Sequence, residues 1–279
     1  MSRNFRISKA ELAKVAASSK LDIMQIEKDY VLSWILSGIY SNSLIASCWL
    51  FKGGTCLRKC YYTNYRFSED LDFTIINSKP SLKDTKIIID QLAAYLMDNT
   101  GIIIDKSRSI LEEATNLSRQ SILQGRIFYQ GPVSPASPKQ WPKIKLDITS
   151  DEVIINEPTY MGIMHNYSDE YLLKDSKILT YNFYDLFAEK IRALLERARP
   201  RDLYDVVEIF QRTKDLNKDL LKSTLKIKCE FKYITSLDLT AQKIDACKAG
   251  WQDQLSHQIN NLSPFHNYLE KWYKIKDDL

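Results

Sequence analysis

No apolar stretch in this chain runs far before a charge interrupts it, so nothing in the sequence is expected to span a membrane. The N-terminal Met-Ser-Arg-Asn-Phe-Arg leads into an amphipathic segment and lacks the apolar core of a signal peptide, and a cytoplasmic protein is the expectation. There is no Cys-x-x-Cys. The five cysteines, an odd number, are Cys48, Cys56, Cys60, Cys229 and Cys247, which argues against a disulfide framework and for reduced, partly buried thiols. The three histidines (His165, His257 and His266) have no metal-ligand spacing, so a zinc site is not expected. Gly-x-x-x-x-Gly-Lys-Ser/Thr and Gly-x-Gly-x-x-Gly are both absent, which removes the P-loop and the Rossmann dinucleotide site. Repeats and low-complexity tracts are absent too. Charge of one sign is also scarce: 39 Lys and Arg against 35 Asp and Glu leave a net +4, which permits a polyanionic partner without requiring one.

What is present is an ordinary globular composition, 44% hydrophobic and 27% charged over 279 residues, enough to bury a sizeable core. Ser8 with Glu11 has capping-box spacing and predicts a helix to about Lys20. Asp22 with Gln25 repeats the signal, and Ile23, Ile26, Tyr30, Trp34 and Ile35 form a helical stripe reaching about Tyr40. Residues 45–52 (IASCWLFK) read as a buried strand ending at a Gly-Gly pair, and 55–62 as the start of a helix. Strands are predicted at 71–76, 102–105, 121–130 and 144–149. Ser81 with Asp84 caps a helix carrying Ile88, Leu92, Tyr95 and Leu96 on one face. Four prolines between Gly131 and Pro142 mark a loop. From Asn182 the pattern turns helical, Pro200 interrupts it, and a further helix is expected near Asp202. The chain therefore divides near Leu179 into an α/β half (1–179) and a helical half (180–279), an α+β protein overall.

Chemistry concentrates in one stretch: strand, Gly53-Gly54-Thr55, helix, short loop, then Ser68-Glu69-Asp70-Leu71-Asp72 entering a strand. Two glycines after a strand allow close approach to a ligand, and a helix start offers free N–H groups to a phosphate. Asp70 and Asp72, two apart on an extended backbone, point to one side and supply the hard oxygens that Mg²⁺ prefers. Downstream, the alternation of 143–149 puts Lys143, Lys145, Asp147 and Thr149 on one face. Asp147 is either a third carboxylate with the first two or part of a polar face that meets water. Arg192, Arg197, Arg199 and Arg201 crowd a proline break ahead of Asp202 and Asp205. They form either an ion-paired helix junction or a basic surface toward a triphosphate or RNA end.

The stretch FKGGTCLRKCYYTNYRFSEDLDF (51–73) resembles the signature of the AbiEii/AbiGii toxin family, within the polymerase β-like nucleotidyltransferase superfamily. AEKIRALLERARPRDLYDVVEI (188–209) is similar to that family's two further motifs, a Glu-Lys-bearing helix and an Arg-x-x-Asp-x-x-Asp helix. The resemblance implies an N-terminal mixed sheet with helices followed by a C-terminal helical bundle. It implies two Mg²⁺ ions on Asp70 and Asp72, with Asp147 as a third ligand. Gly53, Gly54, Thr55 and Ser68 would hold the triphosphate, with Thr55 doing the work of the superfamily's serine. Lys190 would reach the nucleotide phosphates, Glu189 would lie beside it, and Asp202 and Asp205 would match the last motif.

The activity implied is transfer of a nucleoside monophosphate from an NTP, GTP or CTP, to a hydroxyl on RNA, with the 3′ end of tRNA one acceptor. The protein would act as a toxin with a cognate antitoxin. A protein hydroxyl is a second acceptor to consider. A metal-dependent nuclease and an inert nucleotide-binding protein are readings from other classes. The nuclease is disfavoured because Glu189-Lys190 lacks the strand context and spacing of that chemistry. The inert protein is disfavoured because Asp70 and Asp72 are both intact.

Overall fold

The computed structural model describes residues 4–43, 45–76, 82–115 and 121–279, and in it each of the first two helices starts at its predicted cap. Helix α1 is Lys9–Ser19, its N-cap Ser8 accepting from the Glu11 amide at 3.1 Å. Helix α2 is Ile23–Tyr40, capped by Asp22, which accepts from the Met24 amide at 2.8 Å. A side-chain oxygen at this position satisfies an otherwise orphaned amide and is worth about 1 kcal/mol.

The chain divides into two compact units, Met1–Glu152 with Pro158–Thr180, and Val153–Glu157 with Tyr181–Leu279. The first holds an eight-stranded mixed sheet in the order β3-β5-β6-β2-β1-β8-β7, with β4 pairing β5. The strands are β1 Trp49–Lys52, β2 Asp70–Ile75, β3 Ile103–Ile104, β4 Ile110–Thr115, β5 Ser121–Gln130, β6 Lys143–Thr149, β7 Thr159–Met161 and β8 Ile178–Thr180. Strands β1 and β2 are antiparallel, and β2 and β6 are parallel. Helix α3 (Gly53–Cys56) runs straight into a π-helical turn at Leu57–Tyr61. Helix α4 is Leu82–Thr100, with Asp84 in its first turn; the Ser81 half of its expected cap lies outside the described residues. Helix α2 packs on α1, α4 and β8, and α4 on β3 and β4. Around Phe73 stand the rings of Trp49 and Phe51, both at 5.4 Å, and Tyr40 at 6.5 Å, which fixes β1 and β2 against the core.

One sequence expectation is corrected here, and three strands are added to those expected. Strand β1 starts at Trp49 and not at Ile45, because the amides of Ile45 and Ala46 turn back to the Asn42 carbonyl and that of Trp49 to Ile45. Strands β4, β7 and β8 carry no alternation strong enough to announce them; β7 and β8 have three residues each. Pro200 interrupts the helical run as expected, and it does so as the first residue of helix α6 (Pro200–Arg212), where its fixed φ and missing N–H do no harm.

The second unit is helical. Helix α5 is Phe183–Arg197, capped by Asn182, and packs on α6 and on α7 (Lys218–Phe231). Helices α8 (Ala241–Ala249), α9 (Trp251–Leu255) and α10 (Phe265–Asp278) follow, with α6 against α9 and α10. A buried ion pair explains why residues 153–157 belong with this unit. Asp185 accepts from the amides of Ile155 and Asn156 at 3.0 and 2.7 Å and from Lys228 Nζ at 3.1 Å, while Lys228 also donates to the Val153 carbonyl at 2.8 Å.

Candidate active site

Strand pairing builds the first part of the site. Asp72 lies opposite Lys52 on β1 and opposite Asp147 on β6, and Asp147 lies opposite Gln124 on β5. Residues opposite each other in a sheet share a face, so Lys52, Asp72, Asp147 and Gln124 form one row across four strands. Asp70 stands two residues before Asp72, on the same face, opposite Lys145. Leu71 and Phe73 occupy the other face and are fully buried, which locks the carboxylates onto their side: a one-residue slip would put the apolar pair outside.

The glycine turn closes over this row. Gly53 has φ +81°, and a β-carbon there would sit 2.1 Å from Asp72 Oδ2. A β-carbon on Gly54 would sit 2.7 Å from an Arg66 guanidinium nitrogen and 3.2 Å from Ser68 Oγ. Each glycine thus makes room for a side chain of the protein itself. Thr55 is wholly buried, and its hydroxyl donates to the Asp70 carbonyl at 2.5 Å, tying the turn to the start of β2.

Behind the turn lies a buried polar network that the sequence reading does not foresee. Asp29, on α2, accepts from Arg58 Nε at 2.6 Å, Lys59 Nζ at 2.8 Å and Tyr167 Oη at 2.9 Å. Tyr30 donates to Asp169 at 2.7 Å, and His165 pairs with the same carboxylate at 2.8 Å. Burial alone disfavours a charged Asp29, yet the charges of Arg58 and Lys59 outweigh it and hold the carboxyl well below the usual range. Burial also pushes the His165 imidazole down, against the pull of Asp169, so this histidine is a packed core group. The π-helical turn places Arg58 and Lys59 together on Asp29. Arg58 also donates to the Tyr65 carbonyl, and its guanidinium carbon lies 3.5 Å from the centre of the Phe67 ring. Asp29 therefore acts through Arg58 on the segment that carries Arg66, Ser68 and Asp70. The only sequence signal was a carboxylate set between Ile26 and Tyr30 in an apolar stripe.

The donor chemistry fits a divalent cation in part. Mg²⁺ is commonly held by one or two carboxylates together with substrate phosphates, and Asp70 and Asp72 on one face could supply that pair. Asp147 shares the row, but Gln124 Nε2 donates to it at 3.3 Å. Among the described residues no three His, Cys, Asp or Glu side chains converge closely enough to hold a metal. Lys52 leans on Glu152 at 3.5 Å.

The remaining motif residues belong to the second unit. Lys190 pairs with Asp205 at 2.8 Å, and Asp205 is wholly buried. Arg197 holds Asp202 with two bonds of 2.8 and 2.9 Å, and Arg192 pairs with Glu196 at 2.6 Å. Each motif aspartate thus fixes one cation, the junction's ion pairs being partly buried and not only superficial. All five cysteines are buried thiols outside any disulfide. Among the described residues no helix is long and apolar enough to cross a membrane.

A family model described as nucleotidyl transferase AbiEii toxin, type IV toxin–antitoxin system, matches residues 34–271. The span contains the glycine turn, the Asp70/Asp72 strand and the paired helix motifs. Among solved structures, MenT4, a nucleotidyltransferase toxin from Mycobacterium tuberculosis H37Rv, is similar with a TM-score of 0.66 at 16% identity, over 98% of this chain and 90% of that one. At such identity the likeness is one of fold. No curated protein matches the sequence significantly.

Proposed function

The chain belongs to the AbiEii nucleotidyltransferase toxin family of type IV toxin–antitoxin systems, and on that premise we propose that it transfers a nucleoside monophosphate from an NTP to a hydroxyl on RNA, at Asp70 and Asp72. The observation that carries this reading is the placement of both carboxylates on one face of β2, with the Gly53 turn seated directly against Asp72. With the nucleotide's phosphates, the two carboxylates would hold Mg²⁺, whose charge stabilises the departing pyrophosphate. Phosphoryl-type transfer depends mainly on positioning and charge neutralisation, so the protein's own share is geometric. Leu71 and Phe73 fix the direction of the carboxylates, Thr55 ties turn to strand, and Gly53, Gly54 and Ser68 shape the ground on which the triphosphate would rest. Lys190 would add positive charge toward the phosphates, and Asp202 and Asp205 would keep that helix junction in order. Asp147 completes the polar row, where Gln124 engages it, and it would become a third metal ligand only by drawing closer to Asp70 and Asp72.

The acceptor we favour is RNA, with the 3′ end of tRNA the first to try and GTP or CTP the first donors. A cognate antitoxin is the partner expected of the family. The test is incubation of the purified protein with each α-³²P-labelled NTP, Mg²⁺ and total tRNA, beside an Asp70→Ala/Asp72→Ala variant. Label in RNA with the wild type alone is the expected result. Label on protein would move the acceptor to a protein hydroxyl, and RNA cleavage without added NTP would point to a nuclease. Nucleotide binding without any transfer would leave an inert binding protein.

A further inference from the structure

Gly54 does not lie in the left-handed region that favours glycine, yet a β-carbon there would meet another side chain and force it to shift. What fills the space is Arg66: its guanidinium lies across the turn, 2.7 Å from where a β-carbon would be, with Ser68 Oγ at 3.2 Å from the same point. Arg66 is only 4% exposed, so this cation is laid on the turn and does not extend into solvent. Its backbone is held on both sides, since Arg58 donates to the Tyr65 carbonyl and stacks on Phe67, and one Arg66 nitrogen donates to the Phe67 carbonyl at 3.2 Å.

Resting on the nucleotidyltransferase reading, we infer that Arg66 is a triphosphate-binding residue, presented at the glycine turn by the Asp29–Arg58 clamp. A planar guanidinium with several fixed N–H donors matches the oxygens of a phosphate two at a time, and a largely desolvated one does so more strongly than a surface lysine. Ser68 Oγ, beside the same point on the turn, adds a hydroxyl donor. The missing side chain at position 54 then serves the cation, and through it the phosphates.

The test is equilibrium binding of a non-reactive α,β-methylene NTP and of the matching NMP, in Mg²⁺, to wild type, Arg66→Gln, Arg66→Lys and Gly54→Ala, with thermal melts confirming that each variant folds. Arg66→Gln is expected to lose about tenfold to a hundredfold in affinity for the triphosphate while the monophosphate is little affected. Arg66→Lys should fall between, because it keeps the charge and loses the fork. Gly54→Ala should weaken triphosphate binding by displacing the guanidinium, and should add no further loss in the Arg66→Gln background. Triphosphate affinity unchanged in a folded Arg66→Gln protein would overturn the assignment, as would equal losses for both ligands, which would mean that the residue only shapes the turn. Wild-type protein that binds no triphosphate would instead sink the nucleotidyltransferase reading on which the assignment stands.

Discussion

A β-carbon on Gly53 would stand 2.1 Å from Oδ2 of Asp72, closer than any real carbon contact. The backbone at position 53 is also left-handed, with φ +81°. Alanine there meets two obstacles at once, a conformational strain of about 1–3 kcal/mol and a collision that only movement of the carboxylate relieves. Gly53→Ala is therefore expected to resemble Asp72→Asn in transfer activity, a loss of about a hundredfold or more, although every carboxylate is still present. Parallel NTP-incorporation assays and melts check this; a Gly53→Ala protein with wild-type kinetics would refute the packing argument.

Asp29 leads to a prediction about acid. Its carboxyl sits below the usual range because Arg58 and Lys59 overcome the effect of burial. A carboxyl whose folded value lies below its unfolded value of about 3.9 stabilises the fold fully above that pH, and the stabilisation drains away as pH falls beneath it. Asp29→Ala strands one buried and one half-buried cation and should cost about 3–5 kcal/mol near neutrality. Urea denaturation at neutral pH and at about pH 3 should show the gap between wild type and variant narrowing in acid. A gap that is constant or widens in acid would show that Asp29 is not charged in the native state.

How far the sequence carries depends on whether the cause is local. Ser8 and Asp22 are readable as caps because the bonds they make lie within three residues. The facing of 143–149 is readable because a strand alternates, and Ile144, Leu146 and Ile148 are indeed the buried set. Asp70 and Asp72 could be placed on one face for the same reason. The row from Lys52 to Gln124 depends on pairing between strands far apart in the chain, which spacing does not encode. Gly54 shows the limit best: its glycine is legible, but the reason for it is the side chain of Arg66, twelve residues on. The short strands β7 and β8 owe their existence to neighbouring strands and not to their own pattern.

In the helical unit, Asp185 is the peg that fastens residues 153–157. It takes three hydrogen bonds from half-buried Ile155 and Asn156 and a fully buried ion pair from Lys228. Asp185→Ala leaves Lys228 without its carboxylate and two amides without an acceptor, and should destabilise the unit by about 3–5 kcal/mol. Hydrogen exchange gives a local check: the Ile155 and Asn156 amides should lose protection even under conditions where α10 keeps its own. Unaltered protection at those two amides would mean that the segment is held by something else.

Lys190 poses a problem for any test of catalysis by deletion. The proposed function would make it an active-site cation, yet within its own unit it neutralises Asp205, which is wholly buried. Removing the lysine alone leaves an uncompensated buried charge, at about 3–5 kcal/mol, so a dead Lys190→Met enzyme would say nothing about phosphates. Replacing both partners by apolar groups of similar size is often neutral for stability, and Lys190→Met/Asp205→Leu is the informative protein. We expect the single variant to melt well below wild type and the double variant to recover most of the difference, while transfer activity stays low in both. If the double variant recovered activity along with stability, Lys190 would be a strut for Asp205 and nothing more. If it stayed folded with low activity and a raised KM for the NTP, the lysine would have its place at the phosphates.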